Sequence, residues 1–168
     1  MSLSMYQALV PVAVHMFRNL AAILDKGEAH ARAHGFEPSV LIDARLYPDM
    51  LQLARQVQIA TDVASRGAAR LAGLEPASVP DTETTFAELG ERIRRTIQYL
   101  ESFKRDQIDG SEERTITFKI GGQDMTFKGQ GYLLHFIWPN VYFHVTTAYN
   151  ILRHNGVVLG KRDFLGGQ

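Results

Sequence analysis

The stretch from Leu133 to Arg153 constrains this chain more than any other. It is almost wholly apolar and long enough for a helix of several turns. At roughly 100° per residue, Leu133, Ile137, Asn140, His144, Ala148 and Ile151 fall in one narrow sector. Asn140 and His144 therefore point where the core must be, with Thr147 beside them. Trp138, Tyr142, Val145 and Tyr149 form a second stripe on roughly the opposite side. A helix that is apolar on two sides needs cover on both. Either the hairpin described below covers the second stripe or a second subunit does. On the second reading Trp138, Tyr142 and Tyr149 are the interface of a homodimer. Pro139 stands in mid-helix, where its missing N–H predicts a kink or a break.

Three further helices read from the apolar spacing. Met5, Leu9, Val12, Met16, Leu20 and Ile23 recur at steps of three and four. Ser4 and Gln7 have the spacing of a capping box before them. Pro11 predicts a kink, and Gly35 is a plausible stop. A single helical turn is expected around Val40 to Leu46. The second helix is expected to open near Pro48, where proline is well tolerated, and to bury Met50, Leu53, Val57, Ala60, Ala64 and Leu71. Gly73 to Pro80 reads as a loop. The third helix carries its own capping signal, Thr85 with Glu88, ahead of the stripe Phe86, Leu89, Ile93, Ile97, Leu100 and Phe103. Glu91, Arg92, Arg94, Arg95 and Glu101 fall mostly off that stripe and read as a solvated face.

Then the period changes from helical to two. Ile116, Phe118 and Ile120 alternate with polar residues, Gly121-Gly122 interrupts, and Met125 and Phe127 resume. This is a β-hairpin over about 114–128. The last helix opens near Lys128 to Gln130 and ends at Asn155-Gly156. The tail from Val157 is expected to be irregular. The expectation is an all-α, antiparallel four-helix bundle with a small hairpin inserted before the last helix, all in one domain over 1–168.

Composition narrows the function classes. The 168 residues hold 45% hydrophobic side chains, enough for one core. Lys plus Arg and Asp plus Glu are both 18, so the net charge is zero. That gives no electrostatic reason to expect nucleic acid or an anionic membrane as a partner. The absence of cysteine excludes disulfides, thiolate metal sites and cysteine nucleophiles, and fits the cytoplasm. Arg18 interrupts the first apolar segment, so neither a signal peptide nor a membrane span is expected. No phosphate-binding glycine loop, H-E-x-x-H, G-x-S-x-G or zinc-finger spacing occurs.

Asp49, Gln52 and Gln56 run as a polar column along one flank of the second helix's stripe. Such a column is either an exposed edge or the lining of a cavity. With Asn140, His144 and Thr147 it outlines a candidate ligand pocket between the second and last helices. His144 and Asp49 are the candidate metal ligands in that pocket. His135 lies about half a turn round from His144, and a straight helix keeps the two from sharing an ion. His15 flanks the first helix stripe, while His30, His34 and His154 lie near helix ends.

The run His144-Val145-Thr146-Thr147, then Leu152-Arg153, then Gly156, resembles the last helix of the DinB-like (YfiT-like) bundle proteins. The segments Pro48-Asp49-Met50, Leu53-Ala54-Arg55-Gln56, Asp81 to Leu89 and Asn140 to Tyr149 are similar to a bacterial family of unknown function placed beside them. The likeness spans nearly the whole chain. It implies a four-helix bundle, often dimeric. It also implies a divalent metal, such as zinc, nickel or manganese, held by three histidines, and in some members a thiol-dependent transferase or isomerase activity. His144 matches the second histidine of the last-helix pair. Asn140 stands where the first would be, and Gln56 near the histidine of the second helix. Neutral amides are poor ligands for such metals, so a metal-free binding bundle stands beside the metalloenzyme reading, with a structural dimer as the third.

Overall fold

The structure, a computed structural model, describes residues 3–167. Helix α1, Met5–Ala33, opens on the expected capping box: the Gln7 N–H donates to Ser4 Oγ at 3.3 Å and the Ser4 N–H to Gln7 Oε1 at 3.2 Å. Pro11 sits on its exposed side and the helix runs through it. Among the described residues α1 is the one helix long and apolar enough to cross a membrane by those two measures. Its Leu9, Ala13, Phe17 and Leu20 are wholly buried against other helices, as in the central helix of a core.

The turn expected around Val40 to Leu46 is α2, Ser39–Ile42. The next helix, α3, spans Leu53–Leu71 and starts later than Pro48. Gln52 takes the N-cap position with extended backbone angles. The Arg45 guanidinium bonds the Met50 carbonyl and Gln52 Oε1, and the Leu53 N–H donates to the Ala44 carbonyl at 2.9 Å. The chain through Pro48 and Asp49 is thus tied down as a loop, its polar groups satisfied without a helix. On α3, Ala60, Ala64 and Ala68 are fully buried. These small side chains let the last helix approach closely.

Helix α4, Phe86–Glu101, has its predicted capping box at Thr85 and Glu88. A short α5, Arg105–Ile108, leads to the hairpin of β1, Thr115–Ile120, and β2, Gln123–Lys128. The strands pair antiparallel from Thr115↔Lys128 to Ile120↔Gln123. Gly121 and Gly122 both have positive φ, 56° and 83°, which a tight two-residue turn of this hand requires. Phe118 and Phe127 face the protein and meet Tyr132 and Phe136, with Phe118 edge-on to both at 5.3 and 5.0 Å. The Arg70 guanidinium lies 4.6 Å over the Phe118 ring and donates to the Tyr132 hydroxyl at 3.0 Å. A lone hairpin is marginal in water, and this aromatic contact supplies its packing.

The last helix begins as α6, Gly129–Tyr132, and continues through a π-helical segment, Leu133–Ile137, into α7, Trp138–His154. The break expected at Pro139 therefore takes the form of a widened turn just before the proline. The helix stops at Asn155, with Gly156 at φ 90°. The tail is not irregular. It forms α8, Lys161–Leu165, held on α1 by Lys26 to Asp163 at 2.6 Å and Asn19 Nδ2 to the Phe164 carbonyl at 3.0 Å.

The protein is mainly helical, with one two-stranded hairpin before the last helix. Helices α3 and α7 pack most extensively, followed by α1 on α4 and α3 on α4. The short helices α2, α5 and α8 were not among the four expected. α3 is the wall common to both regions of interest, with α7 on one flank and α4 on the other.

Candidate functional site

On the α7 flank, Gln56 and His144 are both buried and face one another. Gln56 Nε2 donates to the Leu51 carbonyl at 2.8 Å. That bond turns Gln56 Oε1 toward His144 Nδ1, 2.7 Å away. An amide oxygen only accepts, so Nδ1 carries the proton and donates it. Nε2 of the neutral ring then holds a lone pair. Nε2 has no partner among the described residues and keeps contact with solvent. Burial lowers the pKa of His144 below the ordinary histidine value, and the nearby charge of Arg55 lowers it further. The site is a neutral hydrogen-bond acceptor fixed in one tautomer. The Phe143 ring stands edge-on to the imidazole at 5.1 Å.

The remaining residues of the predicted pocket do other things. Asn140 is half-buried, and its Nδ2 donates to the Phe136 carbonyl at 2.7 Å, inside the π-helical segment. It satisfies its own helix where the turn has widened. Thr147 is buried, but Oγ1 donates to the Phe143 carbonyl one turn back at 2.7 Å. Gln52 is half-buried at the start of α3 and accepts from Arg45 at 3.3 Å. Asp49 is exposed on the loop before α3. Among the described residues no three His, Asp or Glu side chains gather as a metal set would.

The aromatic stripe divides as well, and its covered part lies against α1 and α8 rather than the hairpin, whose aromatics meet Tyr132 and Phe136. Trp138 is buried within the chain, its indole N–H donating to the Ala8 carbonyl at 3.0 Å. Tyr149 is half-buried against Phe164 of α8. Tyr142 stacks on Trp138 and is 40% exposed; Phe143 beside it is 57% exposed.

On the α4 flank lies a polar cluster that the sequence reading missed. Arg92, assigned there to a solvated face, is only 5% exposed. Each of its three guanidinium nitrogens has a partner. Nε donates to Thr61 Oγ1 at 2.9 Å, Nη1 to the Pro80 carbonyl at 3.0 Å and to Glu83, and Nη2 to Asp62 at 2.7 Å with Asp81 at 3.0 Å. Gln58 Nε2 donates to Glu83 at 2.9 Å, and Arg55 pairs with Asp81. Three carboxylates are thus matched by Arg55, Arg66 and Arg92. The network straps the loop between α3 and α4 onto both helices. Burial raises the pKa of Asp62, the dominant effect even against the attraction of Arg66 and Arg92. One sign was available in the sequence: Arg92 lies at i+3 from Leu89 and i−1 from Ile93, at the edge of the stripe rather than opposite it. A cleft of about 620 Å³ opens over this network, between α3, α4 and the strapped loop. It is not lined by His144 or Gln56.

Residues 5–165 match the family described as "Domain of unknown function (DUF1993)". The chain belongs to this DinB-like family of unknown function. A solved structure, the "Crystal structure of a dinb family member protein from shewanella denitrificans at 1.83 A resolution", is 42% identical. The likeness covers 97% of this chain and 92% of that one, with a TM-score of 0.88. No curated protein matches this DUF1993 chain.

The resemblance to DinB-like proteins implies a three-histidine divalent metal, and the donors present do not fit one. Of the three positions only His144 offers an imidazole; Gln56 and Asn140 offer amides. The Gln56 amide oxygen is committed to His144 and the Asn140 amide to the backbone. Amide oxygens are weak ligands for zinc or nickel, and a catalytic zinc needs three good protein donors.

Proposed function

We propose that this DUF1993 protein is a helical bundle of the DinB-like type that binds a small molecule at His144, between α3 and α7, without a metal. The observation that supports this most is the relay from the Leu51 carbonyl through Gln56 to His144 Nδ1. It fixes the tautomer that leaves Nε2 as an acceptor, and the depressed pKa keeps the ring neutral. A ligand for such a site offers an O–H or N–H to Nε2 and an apolar body. Phe143 stands beside the imidazole, and Leu51, whose carbonyl anchors Gln56, is 42% exposed. The positive charge of Arg55 favours neutral ligands over cationic ones. Phenol and benzamide serve as probes, with the His144 ring nitrogens followed by NMR. The reading expects saturable shifts at Nε2 that vanish in His144→Leu; no response to either probe would reject it. Zinc bound stoichiometrically by the wild type and lost in His144→Ala would favour the metalloenzyme reading instead.

A second reading concerns assembly. Gly129 to Leu152 contains no Asp, Glu, Lys or Arg, yet Leu134, Tyr142 and Phe143 are exposed. An uncharged, partly aromatic helix face supports contact with a second copy of the chain through Tyr142 and its neighbours. On this reading the protein is a homodimer.

A further inference from the structure

The cleft between α3 and α4 has a volume of about 620 Å³, within the usual range of small-molecule sites. One part of its wall is apolar: Ala77 and Val79 from the strapped loop, Ala87 and the Tyr99 ring from α4. Val79 and Tyr99 are 44% and 37% exposed, so this apolar surface lacks cover. The charged part of the wall is asymmetric in what it leaves free. Three of the four carboxylates that line the cleft, Asp62, Glu83 and Glu91, are committed at both oxygens. Asp62 bonds Arg92 and Arg66, Glu83 bonds Arg92 and Gln58, and Glu91 bonds Arg94 and Arg95. Glu88 caps α4 through Oε2, which accepts the backbone N–H groups of Thr84 and Thr85, and its Oε1 has no partner among the described residues. Arg92 has a partner at each guanidinium nitrogen.

Two other guanidinium groups do not. Arg66, on α3, meets Asp62 through Nη2, at 2.8 Å, and Arg95, on α4, meets Glu91 through Nε, at 2.7 Å. Among the described residues the other guanidinium nitrogens of both have no partner, and both side chains line the cleft. Against the single free oxygen of Glu88, the larger unfilled capacity of the cleft is to donate hydrogen bonds to an anion, beside an uncovered apolar wall. Guanidinium forks match carboxylates in geometry and charge.

We propose that this cleft is a binding site for an amphipathic monocarboxylate, its chain or ring against Val79, Ala87 and Tyr99 and its carboxylate on Arg95 and Arg66. The site is separate from His144. A cationic amphiphile would find one free carboxylate oxygen, Glu88 Oε1, facing the unpartnered guanidinium nitrogens of two arginines, and a neutral one leaves the guanidinium N–H groups to water.

The test is an NMR and calorimetric titration of the full chain with dodecanoate below its micelle concentration. Dodecanol and dodecylammonium serve as matched probes. Dodecanoate should shift the Arg66 and Arg95 Nε–H and the Tyr99 signals while leaving the His144 ring nitrogens unmoved. Arg95→Met and Arg66→Met, which keep most of the aliphatic stem, should each weaken dodecanoate by about tenfold, and Arg95→Lys should restore part of it. Arg95 is exposed on α4, and circular dichroism checks that its variant folds. Unchanged affinity in both methionine variants overturns the proposal. So does dodecylammonium or dodecanol binding as tightly as dodecanoate, a response centred on His144, or no dodecanoate binding. Failure of phenol or benzamide to bind at His144 leaves these outcomes unaffected, so the two sites are tested separately.

Discussion

Protonating His144 means placing a charge in a buried site beside Arg55, and its pKa is depressed accordingly. The unfolded chain titrates this histidine near the ordinary value of about 6.5. Between that pH and the lower folded pKa the unfolded state binds more protons, so stability falls on acidification and levels off below the folded pKa. The stability difference between wild type and His144→Leu should therefore shrink as the pH drops from about 7 to about 5, read from urea melts at each pH. A difference that grows on acidification would contradict the assignment. Arg92 is the other residue on which much depends. Removing it leaves Asp62, Asp81 and Glu83 gathered without their shared cation. Arg92→Met should cost about 3 to 5 kcal/mol, the range for breaking a buried pair from one side. A loss near zero in denaturant melts would mean that the loop is held by other contacts.

Two glycines test how the elements pack. A Cβ on Gly67 of α3 would lie 2.5 Å from Ile137 Cδ1, at the end of the π-helical segment. Gly67→Ala should therefore destabilise by about 1 to 3 kcal/mol, the usual range for overpacking. Gly90 of α4 faces open space, so Gly90→Ala should stabilise by about 0.4 to 1 kcal/mol through the unfolded chain. Thermal melts of the pair decide both signs. The elements themselves were legible where local chemistry is self-sufficient. Ser4 with Gln7, Thr85 with Glu88, and Gly121-Gly122 each specify their structure within a few residues. The start of α3 was not legible, because Arg45 ties the Pro48 loop down from outside any helical pattern. The same division holds for the site. Gln56 and His144 each lie on the apolar face of a helix, and two packed faces bring them together. Arg92 was misread because its partners, from Thr61 to Glu83, come from another helix and a loop without periodicity. Asn140 shares a helix sector with Ile137 and His144 but is half-buried, because the widened turn before Pro139 takes up its amide, and no local pattern announces that turn.

At the scale of the molecule, α3 stands between two different surfaces: a neutral acceptor site toward α7 and a salt-bridged cleft toward α4. The uncharged outer face of α7 adds a third. Light scattering on the purified chain should give twice the chain mass, and Tyr142→Asp should shift it toward the monomer; a monomeric wild type removes the dimer reading. The state of the His144 ring separates a neutral acceptor site from a metal centre. Long-range ¹H–¹⁵N NMR of the imidazole near pH 7 measures it, before and after an equivalent of zinc. The prediction is a protonated Nδ1 and an unprotonated Nε2, unchanged by zinc. A proton on Nε2, or an Nε2 signal that moves to a metal-bound position, would contradict it.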